Sequence, residues 1–461
     1  MIDTEALRKK VIDLAIQGKL TEQLPSDGDA ETLYAQILDQ KLQLIKEGKI
    51  KKDKALPDIA AEEIPFEVPD NWKWVRLYEI SDTNIGLTYH PENIVDEGTV
   101  VLRSNNIKNG AFDYSDLVRV NCEVRENQYI RKNDILICSR NGSKNLVGKC
   151  AIYDGELGDV SFGAFMAILR TSLFKYIYFY LTTDAFRRYF SDDDTKQINQ
   201  VTQDILKKAI VPLPPLAEQE RIVAKLERVL SEIDIIDDLQ AKYSNDLAVL
   251  KGKIIDAGIQ GKLTEQLPED GDAEDLYAQI QNQKSQLIKE GRIKKEKPLP
   301  DIAADEIPFE IPKNWKWVRL GELIKINSGT GLTSYQMGKG DIPVYGGNGV
   351  TGYHDESLVN EETIVIGRVG FYCGSVHVTP EKAWVTDNAF ITQYPKNLIN
   401  RDFLVYALRN MNLGQNTNGA AQPVVSGKKI YPLLFALPPF DEQKRIAKRI
   451  DDVLTIVDSL Q

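Results

Sequence analysis

Two polar loops in the first half of the chain carry arginine, lysine, asparagine and serine in close succession. The first, residues 103–110, follows a predicted strand at 99–102, and the second, residues 139–145, follows a predicted strand at 134–138. Such side chains can hydrogen-bond nucleic-acid bases, since arginine and lysine pair with guanine and asparagine pairs with adenine. Ordinary surface turns are the alternative interpretation for any single residue. The candidate contacts are Arg103, Ser104, Asn105, Asn106, Lys108, Arg140, Asn141, Ser143 and Lys144.

The second half of the chain carries glycine-rich polar turns between residues 328 and 423 instead. Glycine allows a backbone to approach a ligand closely, and tyrosines beside such turns can stack on bases or contact a backbone. Packing in the core or in a turn is the alternative for each tyrosine. The candidate contacts here are Thr330, Tyr345, Asn348, Tyr353, Arg368, Tyr372, Asn388 and Gln422.

No arrangement of residues indicates a catalytic or metal site. The chain has three histidines, His90, His354 and His377, and none neighbours a nucleophile in the sequence. Residues 347–352 fit the G-x-G-x-x-G pattern, but no helical rhythm follows, as a dinucleotide site would require, so we interpret them as a loop. Neither a Walker motif nor a nuclease-type carboxylate cluster stands out. The four cysteines lack paired or CxxC spacing, which predicts reduced, mostly buried thiols.

The composition predicts two to three globular domains. The chain has 461 residues, of which 42% are hydrophobic and 27% are charged, as is ordinary for such domains. No apolar run approaches the ~20 residues of a membrane helix, and the N-terminus lacks a signal-peptide core, so we predict a cytoplasmic protein without a membrane contact. The net charge of −11 argues against nucleic-acid binding by bulk charge alone, so any such binding needs local patches or basic partners.

The segments that must position these loops occur twice in the sequence. Residues 16–77 recur at 259–320 with a constant offset of 243, and about 50 of roughly 60 positions are identical. A fainter repeat relates residues 213–222 to 437–446 with an offset of 224. The difference of 19 residues must be absorbed between the repeats, in segments 78–212 and 321–436, which show no convincing alignment with each other. The chain therefore alternates constant and variable parts.

Each copy of the long repeat predicts a short helix, a basic run and two tryptophans. Asp29 is a candidate N-cap and Gly48 a candidate helix end. The basic run at 49–54 is either a solvated face or a contact with a partner subunit or with DNA phosphates. Trp72 and Trp74 are predicted to pack at the entry to the variable segment.

A long helix is predicted to join the two variable segments. Its seven-residue pattern runs from Ile222 to Ile254, a length on the order of 50 Å. Gln240 is the polar exception and either sets the register or lies where a partner helix ends. The two chain termini repeat the front and the back of this helix. We therefore predict a second, broken helix packed antiparallel to the first, and approximate two-fold symmetry. The heptad positions are Ile222, Leu226, Val229, Ile233, Ile236, Gln240, Tyr243, Leu247, Leu250 and Ile254.

The doubled segment, with its AIQGKL, LIKEG and IPFE…NWKWVRL stretches, resembles the specificity (S) subunits of Type I restriction–modification systems. The PLPPLAEQERIV stretch after the first variable segment, with a looser copy after the second, resembles them too. The resemblance covers essentially the whole chain and keeps the family's order of two target-recognition domains between conserved helical regions. The stretch around Asn199 resembles the family's segment near the DNA face, which adds this residue to the candidates.

The resemblance implies that each recognition domain reads one half of a split double-stranded DNA target and that the helices set the gap. It also implies docking of two methylation (M) subunits, which restriction (R) subunits join. The family's M subunits place Asn or Asp before Pro-Pro in their methylation motif, whereas Leu213 and Leu437 stand there in this chain. The chain is therefore expected to be non-catalytic and to have no cofactor. S-adenosylmethionine, ATP and magnesium are expected only on partner subunits. A coiled-coil scaffold that binds proteins is the alternative.

The predicted fold class is α+β, with two globular α/β recognition domains that have β-rich cores and are separated by two long antiparallel coiled-coil helices. The two variable domains differ, so the predicted DNA target is bipartite and asymmetric. The predicted regions are an N-terminal helical region at 1–64, recognition domain 1 at 65–215, a central helical region at 216–307, recognition domain 2 at 308–439 and a C-terminal helix at 440–461.

Overall fold

A computed structural model of the chain describes residues 1–52, 54–191, 200–295, 297–333, 335–338, 340–414 and 424–460. The chain divides into two compact units, residues 1–240 and 241–461. Each unit combines helices with small β-sheets, so the predicted α+β class with two β-rich domains is confirmed. None of the helices in the described ranges combines the length and the apolar content needed to cross a bilayer.

The longest helix, α7, starts in unit 1 and ends in unit 2, which confirms the predicted central helix. The shorter helices precede and follow it. Those before it are α1 (Thr4–Ile16), α2 (Ala30–Lys46), α3 (Leu77–Ile80), α4 (Phe174–Leu181), α5 (Asp184–Ser191) and α6 (Gln203–Lys208); then come α7 (Leu216–Ile259), α8 (Ala273–Lys289), α9 (Leu320–Leu323), α10 (Arg401–Asn410), α11 (Gly427–Ile430) and α12 (Phe440–Asp458).

Unit 1 holds two four-stranded sheets, in the orders β6-β3-β10-β7 and β2-β11-β8-β9, and two two-stranded ribbons, β1-β12 and β4-β5. The predicted strands at 99–102 and 134–138 are confirmed as β3 and β8. The strands are β1 (Lys73–Arg76), β2 (Asp82–Ile85), β3 (Ile94–Leu102), β4 (Ile107–Lys108), β5 (Ala111–Phe112), β6 (Val118–Val120), β7 (Tyr129–Ile130), β8 (Ile135–Cys138), β9 (Cys150–Ile152), β10 (Val160–Phe162), β11 (Met166–Arg170) and β12 (Ile210–Leu213).

Unit 2 holds sheets in the orders β14-β20-β17-β18 and β16-β15-β19, with the ribbon β13-β21. The glycine pattern at 347–352 forms the turn and second strand of the hairpin β15–β16, and no helix follows it. The strands are β13 (Lys316–Arg319), β14 (Lys325–Ser328), β15 (Ile342–Gly346), β16 (Gly349–His354), β17 (Ile364–Gly367), β18 (Val376–Val378), β19 (Trp384–Val385), β20 (Ala389–Gln393) and β21 (Leu434–Leu437).

The constant segments close each variable domain at its base. In unit 1, β1 pairs antiparallel with β12, with Lys73 opposite Leu213 and Arg76 opposite Ile210. In unit 2, β13 pairs with β21 in the same register. The two ends of each variable segment are thus held side by side by backbone hydrogen bonds, which do not depend on side-chain identity.

The two variable domains share a topology that their sequences conceal. Strand β3 pairs with β10 in unit 1 as β15 pairs with β19 in unit 2. In this pairing Leu102 and Tyr345 occupy equivalent positions, so their residue numbers differ by 243. The offset falls to 229 between β8 and β17 and to 223 between β11 and β20. Compared with the domain in unit 1, the domain in unit 2 is therefore 14 residues shorter before β17 and 6 residues shorter between β17 and β20. It is 1 residue longer between β20 and the closing ribbon. These changes account for the 19-residue difference between the two repeat offsets.

A buried glutamate ties α7 to the preceding constant segment. Glu218 is 0% exposed and accepts hydrogen bonds from Trp72 Nε1 at 2.9 Å, Gln23 Nε2 at 2.9 Å and Thr21 Oγ1 at 3.2 Å. In unit 2, Glu442 accepts the equivalent bond from Trp315 Nε1 at 2.8 Å. Trp72 and Trp315 therefore pack at the entry to each variable domain, as predicted, and the glutamate supplies the acceptor that a buried indole N–H needs.

A buried arginine anchors the segment that precedes each variable domain. Arg76 is 6% exposed and donates to both carboxylate oxygens of Glu63, at 2.9 and 3.0 Å, and to the carbonyls of Pro57 and Lys208. Arg319 makes the matching bidentate contact with Glu306, which lowers the pKa of that carboxyl to about 2. Bidentate geometry makes such pairs strong.

In unit 1, α1 lies antiparallel to the first half of α7. Arg8 donates to Asp234 at 2.6 Å and to Asp237 at 2.7 Å. Gln240 accepts from the backbone N–H of Ile2 at 2.5 Å and donates to its carbonyl at 3.2 Å. Gln240 therefore lies beside the N-terminal end of the partner helix α1. Of the two predicted roles, this favours a position at the end of the partner helix over one that sets the register.

In unit 2, α12 lies antiparallel to the second half of α7. Lys251 pairs with Asp458, and Tyr243 Oη donates to the Leu460 carbonyl at 2.7 Å. Two apolar positions of the predicted heptad are exposed in the structure, Tyr243 at 43% and Leu250 at 41%. Helical periodicity predicts which face is apolar, but a partner must reach that face to bury it. The predicted two-fold symmetry stays a prediction.

Replacement of Gly18 by alanine is expected to destabilise unit 1, and Gly261→Ala is expected to destabilise unit 2 equally. Gly18 has φ +69°, and an added Cβ would lie 2.6 Å from the Pro69 ring; Gly261 has φ +72° and the same relation to Pro312. The left-handed conformation alone costs about 1–2 kcal/mol. Thermal unfolding of the full chain measures the loss. Gly48→Ala is the control, because Gly48 has a similar φ of +70° and also follows a helix but has open space around it; it should cost less, and an equal loss would contradict the clash.

Candidate nucleic-acid interface

Four connections meet at one edge of the variable domain in unit 1, and we call them loop edge 1. They are residues 86–91 after β2, 103–106 after β3, 139–143 after β8 and 163–165 between β10 and β11. They line a cleft of about 990 Å³. The cleft forms because β11 pairs with both β2 and β8, while β10 runs parallel to β3. The two predicted polar loops therefore face the same space.

Contacts between the loops fix this arrangement. Asn141 Nδ2 donates to Ser104 Oγ at 3.2 Å. The backbone N–H groups of Ser139 and Arg140 donate to the Phe165 carbonyl at 2.9 and 3.1 Å. Of the predicted contacts, the structure places five on the cleft wall: Arg103, Ser104, Asn105, Arg140 and Asn141.

Arg140 has the most available cation of this set. Its side chain is exposed, and its guanidinium carbon lies 5.8 Å from the centre of the Phe165 ring. No ion pair between described residues includes Arg140. Arg103, by contrast, donates to the Asp116 carboxylate at 2.8 Å, so its charge is partly compensated within the domain. Contact of Arg103 with a phosphate or base would compete with Asp116.

The predicted contact from Asn106 is wrong, because its side chain is 0% exposed. Its Nδ2 donates to the carbonyls of Asp113 and Asp116 at 3.1 and 2.8 Å. Its Oδ1 accepts from the backbone N–H of Arg103 at 2.9 Å. Asn106 thus positions the loop after β3 instead of reaching a ligand, a role that a polar sequence pattern does not distinguish from an exposed one.

Asn106→Ala is expected to destabilise the domain by about 2 kcal/mol, because its three hydrogen bonds, with the Arg103 N–H and the Asp113 and Asp116 carbonyls, are lost. DNA binding should weaken as the loop loosens. The exposed neighbour supplies the matched control: Asn105→Ala should leave the thermal unfolding temperature unchanged and alter only DNA binding. Equal unfolding temperatures for the two variants would contradict the assignment.

The remaining predicted contacts of unit 1 lie outside the cleft wall. Lys108 is on β4 and pairs with Asp113, and this hydrogen bond holds the pKa of the Asp113 carboxyl well below its usual range. Ser143 and Lys144 are exposed on the continuation of the loop after β8. Asn199 falls outside the described residues.

Unit 2 presents the equivalent edge, which we call loop edge 2. It comprises residues 329–331 after β14, 347–348 after β15, 368–372 after β17 and 386–388 between β19 and β20. Thr330, Asn348, Arg368, Tyr372 and Asn388, all predicted, lie on these loops.

Hydrogen bonds draw the loops of edge 2 together. The Arg368 backbone N–H donates to the Asn388 carbonyl at 2.8 Å, and its side chain donates to the Asp387 carbonyl and to Ser328 Oγ, both at 3.3 Å. Trp384 Nε1 donates to the Thr330 carbonyl at 2.9 Å. Like Arg140, Arg368 has its guanidinium over an aromatic ring.

The predicted contact from Tyr345 is wrong. Its ring is 9% exposed and packs in a small core with Val365 and Val385. Burial raises the pKa of its hydroxyl, which donates to the Val378 carbonyl at 3.4 Å. Tyr353 is exposed on β16 instead of on loop edge 2. Gln422 lies outside the described residues.

Two exposed aromatic residues on these edges escaped prediction from the sequence. Phe165 is 63% exposed on edge 1, and Phe371 is 89% exposed on edge 2, where it packs edge-on against Tyr372 at 5.1 Å. Both follow glycine within two residues in a turn between strands. An apolar residue inside such a turn is the signal that could have identified them.

The strand register shows which positions of the two edges correspond. With the offsets of the flanking strands, Asn105 corresponds to Asn348, Ser139 to Arg368 and Phe165 to Asn388. The two edges thus share their backbone plan, while most of the corresponding side chains differ.

Over the described ranges, no group of histidine, cysteine and carboxylate residues is arranged to hold a metal ion.

Comparison with known proteins finds similar sequences. The model of the Type I restriction modification DNA specificity domain matches residues 69–242 and 312–461. The chain is 26% identical to the Type I restriction enzyme EcoAI specificity subunit of Escherichia coli, over 99% of this chain and 90% of that protein. It is also 26% identical to the EcoKI specificity subunit of Escherichia coli strain K12, over 86% and 84%.

A solved structure that concerns assembly and conformational transition of a type I R-M system contains a similar fold. Its chain aligns with a TM-score of 0.59 and 18% identity, covering 86% of this chain and 93% of that one. The two matched stretches of the domain model cover more than half of the chain and include both loop edges. The chain therefore belongs to the family of Type I restriction–modification DNA specificity subunits.

Proposed function

We propose that this chain gives a Type I restriction–modification complex its DNA sequence specificity, with each loop edge reading one half of a bipartite target. The observation that carries the proposal is the shared backbone plan of the two edges with largely different side chains. Arginine and asparagine on both edges supply the donors and acceptors that distinguish base pairs in the major groove. Because most corresponding positions hold different residues, the two half-sites should differ.

The constant parts are proposed to set the spacing and to dock partner subunits. The same contacts recur in both units, Trp72 with Glu218 and Trp315 with Glu442 among them. Duplicated surfaces suit two copies of one partner, and we assign this partner as the methylation subunit. The basic residues of the two runs are exposed and are candidates for that contact or for DNA phosphates: Lys49, Lys51, Lys52 and Lys54 in one copy, and Arg292, Lys294, Lys295 and Lys297 in the other. Helix α7 is proposed to set the gap between the half-sites.

Catalysis is proposed to reside on the partners, with S-adenosylmethionine, ATP and magnesium bound there and restriction subunits joining through the methylation subunits. Leu213 and Leu437 support this, because they have hydrocarbon side chains where the methylation motif has Asn or Asp; both are also buried in the closing strands β12 and β21. They therefore offer no acceptor to a target amine before the Pro-Pro pairs. Such a complex would work on DNA in the cytoplasm. Methyl transfer by the purified chain alone would contradict this assignment.

Enrichment of randomised duplexes tests the proposed function. The full chain is mixed with the duplexes, with and without the methylation subunit, and bound DNA is separated on a gel at several salt concentrations and sequenced. We expect two short enriched elements separated by a spacer of fixed length and free sequence. An absence of any enriched sequence in the mixture with methylation subunit would overturn the proposal.

A further inference from the structure

Phe165 is the most exposed large apolar side chain in the described part of the unit 1 domain. Its ring is 63% exposed, whereas Ile85 and Ile94 are each 49% exposed. A single exposed apolar residue needs no explanation by itself. Phe165 differs because it lies on the wall of the cleft of loop edge 1, beside Arg140 and Asn141.

Backbone hydrogen bonds fix the turn that places Phe165 on the cleft wall. The Phe165 carbonyl accepts hydrogen bonds from Ser139 and Arg140 at 2.9 and 3.1 Å. The flanking residues Gly163 and Met166 are buried, and Met166 N–H donates to the Gly163 carbonyl at 2.8 Å. The turn is thus fixed on both sides, and the loops after β3 and β8 line the same cleft. A ring placed within a cleft meets the edges of bases, whereas a wedge between base pairs must project beyond its neighbours.

Arg140 adds the second element of the argument. Its guanidinium lies over the Phe165 ring, so the two side chains present a cationic fork and an apolar surface side by side. Arginine pairs with the O6 and N7 atoms of guanine, and an apolar surface packs against the C5-methyl group of thymine in the same groove. The pair therefore matches neighbouring guanine and thymine.

We propose that Phe165 is a specificity-determining residue that recognises the 5-methyl group of a thymine adjacent to the base contacted by Arg140. This inference rests on the proposed function, since it assigns a chemical feature to one half-site of the DNA target. In unit 2 the corresponding position is Asn388, which carries hydrogen-bonding groups instead of an apolar ring. The contact is therefore specific to the half-site read by edge 1.

Replacement of thymine by deoxyuridine tests the proposal, because it removes only the methyl group. The enriched target is first defined with the complex of full chain and methylation subunit. The half-site of edge 1 is the one whose specificity relaxes in Arg140→Ala. Each thymine of that half-site, on either strand, is then replaced by deoxyuridine in turn. We expect one replacement to weaken binding about fourfold, as removal of one buried apolar carbon does.

Variants of Phe165 and a control in unit 2 complete the experiment. Phe165→Ala is expected to bind the thymine and deoxyuridine duplexes equally, and Phe165→Leu to keep part of the difference because it keeps apolar contact. Asn388→Ala should keep the full difference. The inference is overturned if no thymine in this half-site is sensitive, or if the sensitivity persists unchanged in Phe165→Ala. A complete lack of sequence enrichment would instead overturn the proposed function itself.

Discussion

Arg140→Ala is expected to relax discrimination at one base pair of one half-site by about 5- to 150-fold and to leave the other half-site unchanged. One bidentate arginine–guanine contact contributes about 1–3 kcal/mol of discrimination. Arg140 is exposed in the cleft of loop edge 1, and no described ion pair occupies it. Enrichment of randomised duplexes by the variant complex, followed by affinity measurements on single-base variants, measures the change.

Two further variants sharpen this test. Arg368→Ala should produce the mirrored result, with relaxed preference only in the half-site read by edge 2. Arg140→Lys keeps the charge but loses the planar fork, so overall affinity should persist while discrimination falls. Altered preference at both half-sites in either alanine variant would contradict independent action of the two edges.

Glu218→Ala is expected to destabilise unit 1 by about 3 kcal/mol or more. The carboxylate is fully buried and accepts hydrogen bonds from Trp72, Gln23 and Thr21. Removing it leaves the buried Trp72 N–H without an acceptor, at a cost of about 1–3 kcal/mol, and also removes the charge-assisted hydrogen bonds from Thr21 and Gln23, although Gln23 keeps the carbonyls of Gly18 and Thr21 as acceptors. Thermal unfolding of the full chain, combined with hydrogen exchange of residues 16–24 and 72–76, locates the loss in the constant segment.

The chain provides matched controls for this prediction. Glu442→Ala should cause the same loss in unit 2, because Trp315, Gln266 and Thr264 make the same contacts there. Glu220 is exposed two residues from Glu218 on the same helix, so Glu220→Ala should change stability little. Equal unfolding of the Glu218 and Glu220 variants would show that the buried carboxylate does not hold α7 in place.

Corrections to the predicted site have a common physical origin. Asn106 and Tyr345 belong to residue types that contact DNA, and they lie in the right loops or beside them. Their side chains nevertheless make contacts inside the domain. Asn106 donates to the Asp113 and Asp116 carbonyls, and Tyr345 packs in a small apolar core. Burial depends on residues distant in the chain, so composition and spacing could not separate positioning residues from contacting ones.

Local and repeated features of this protein were determined by the sequence alone. The heptad pattern determined helix α7, and Asp29 capped α2 as predicted, by accepting from Thr32 N–H at 2.9 Å. The near-identity of the constant segments determined the duplication, because the same residues make the same local contacts in both units. These features depend on periodicity and identity, which a single sequence displays directly.

Only the tertiary structure decided which loops face a common cleft and which side chains are free within it. Strand pairing between segments far apart in the chain brought Arg140 beside Phe165 and gave two unalignable variable domains one topology. Sheet topology is set by backbone hydrogen bonds and by the alternation of buried side chains, which many different sequences satisfy. The constant parts can therefore be recognised in the sequence, whereas the shared backbone plan of the two loop edges appears only in the folded chain.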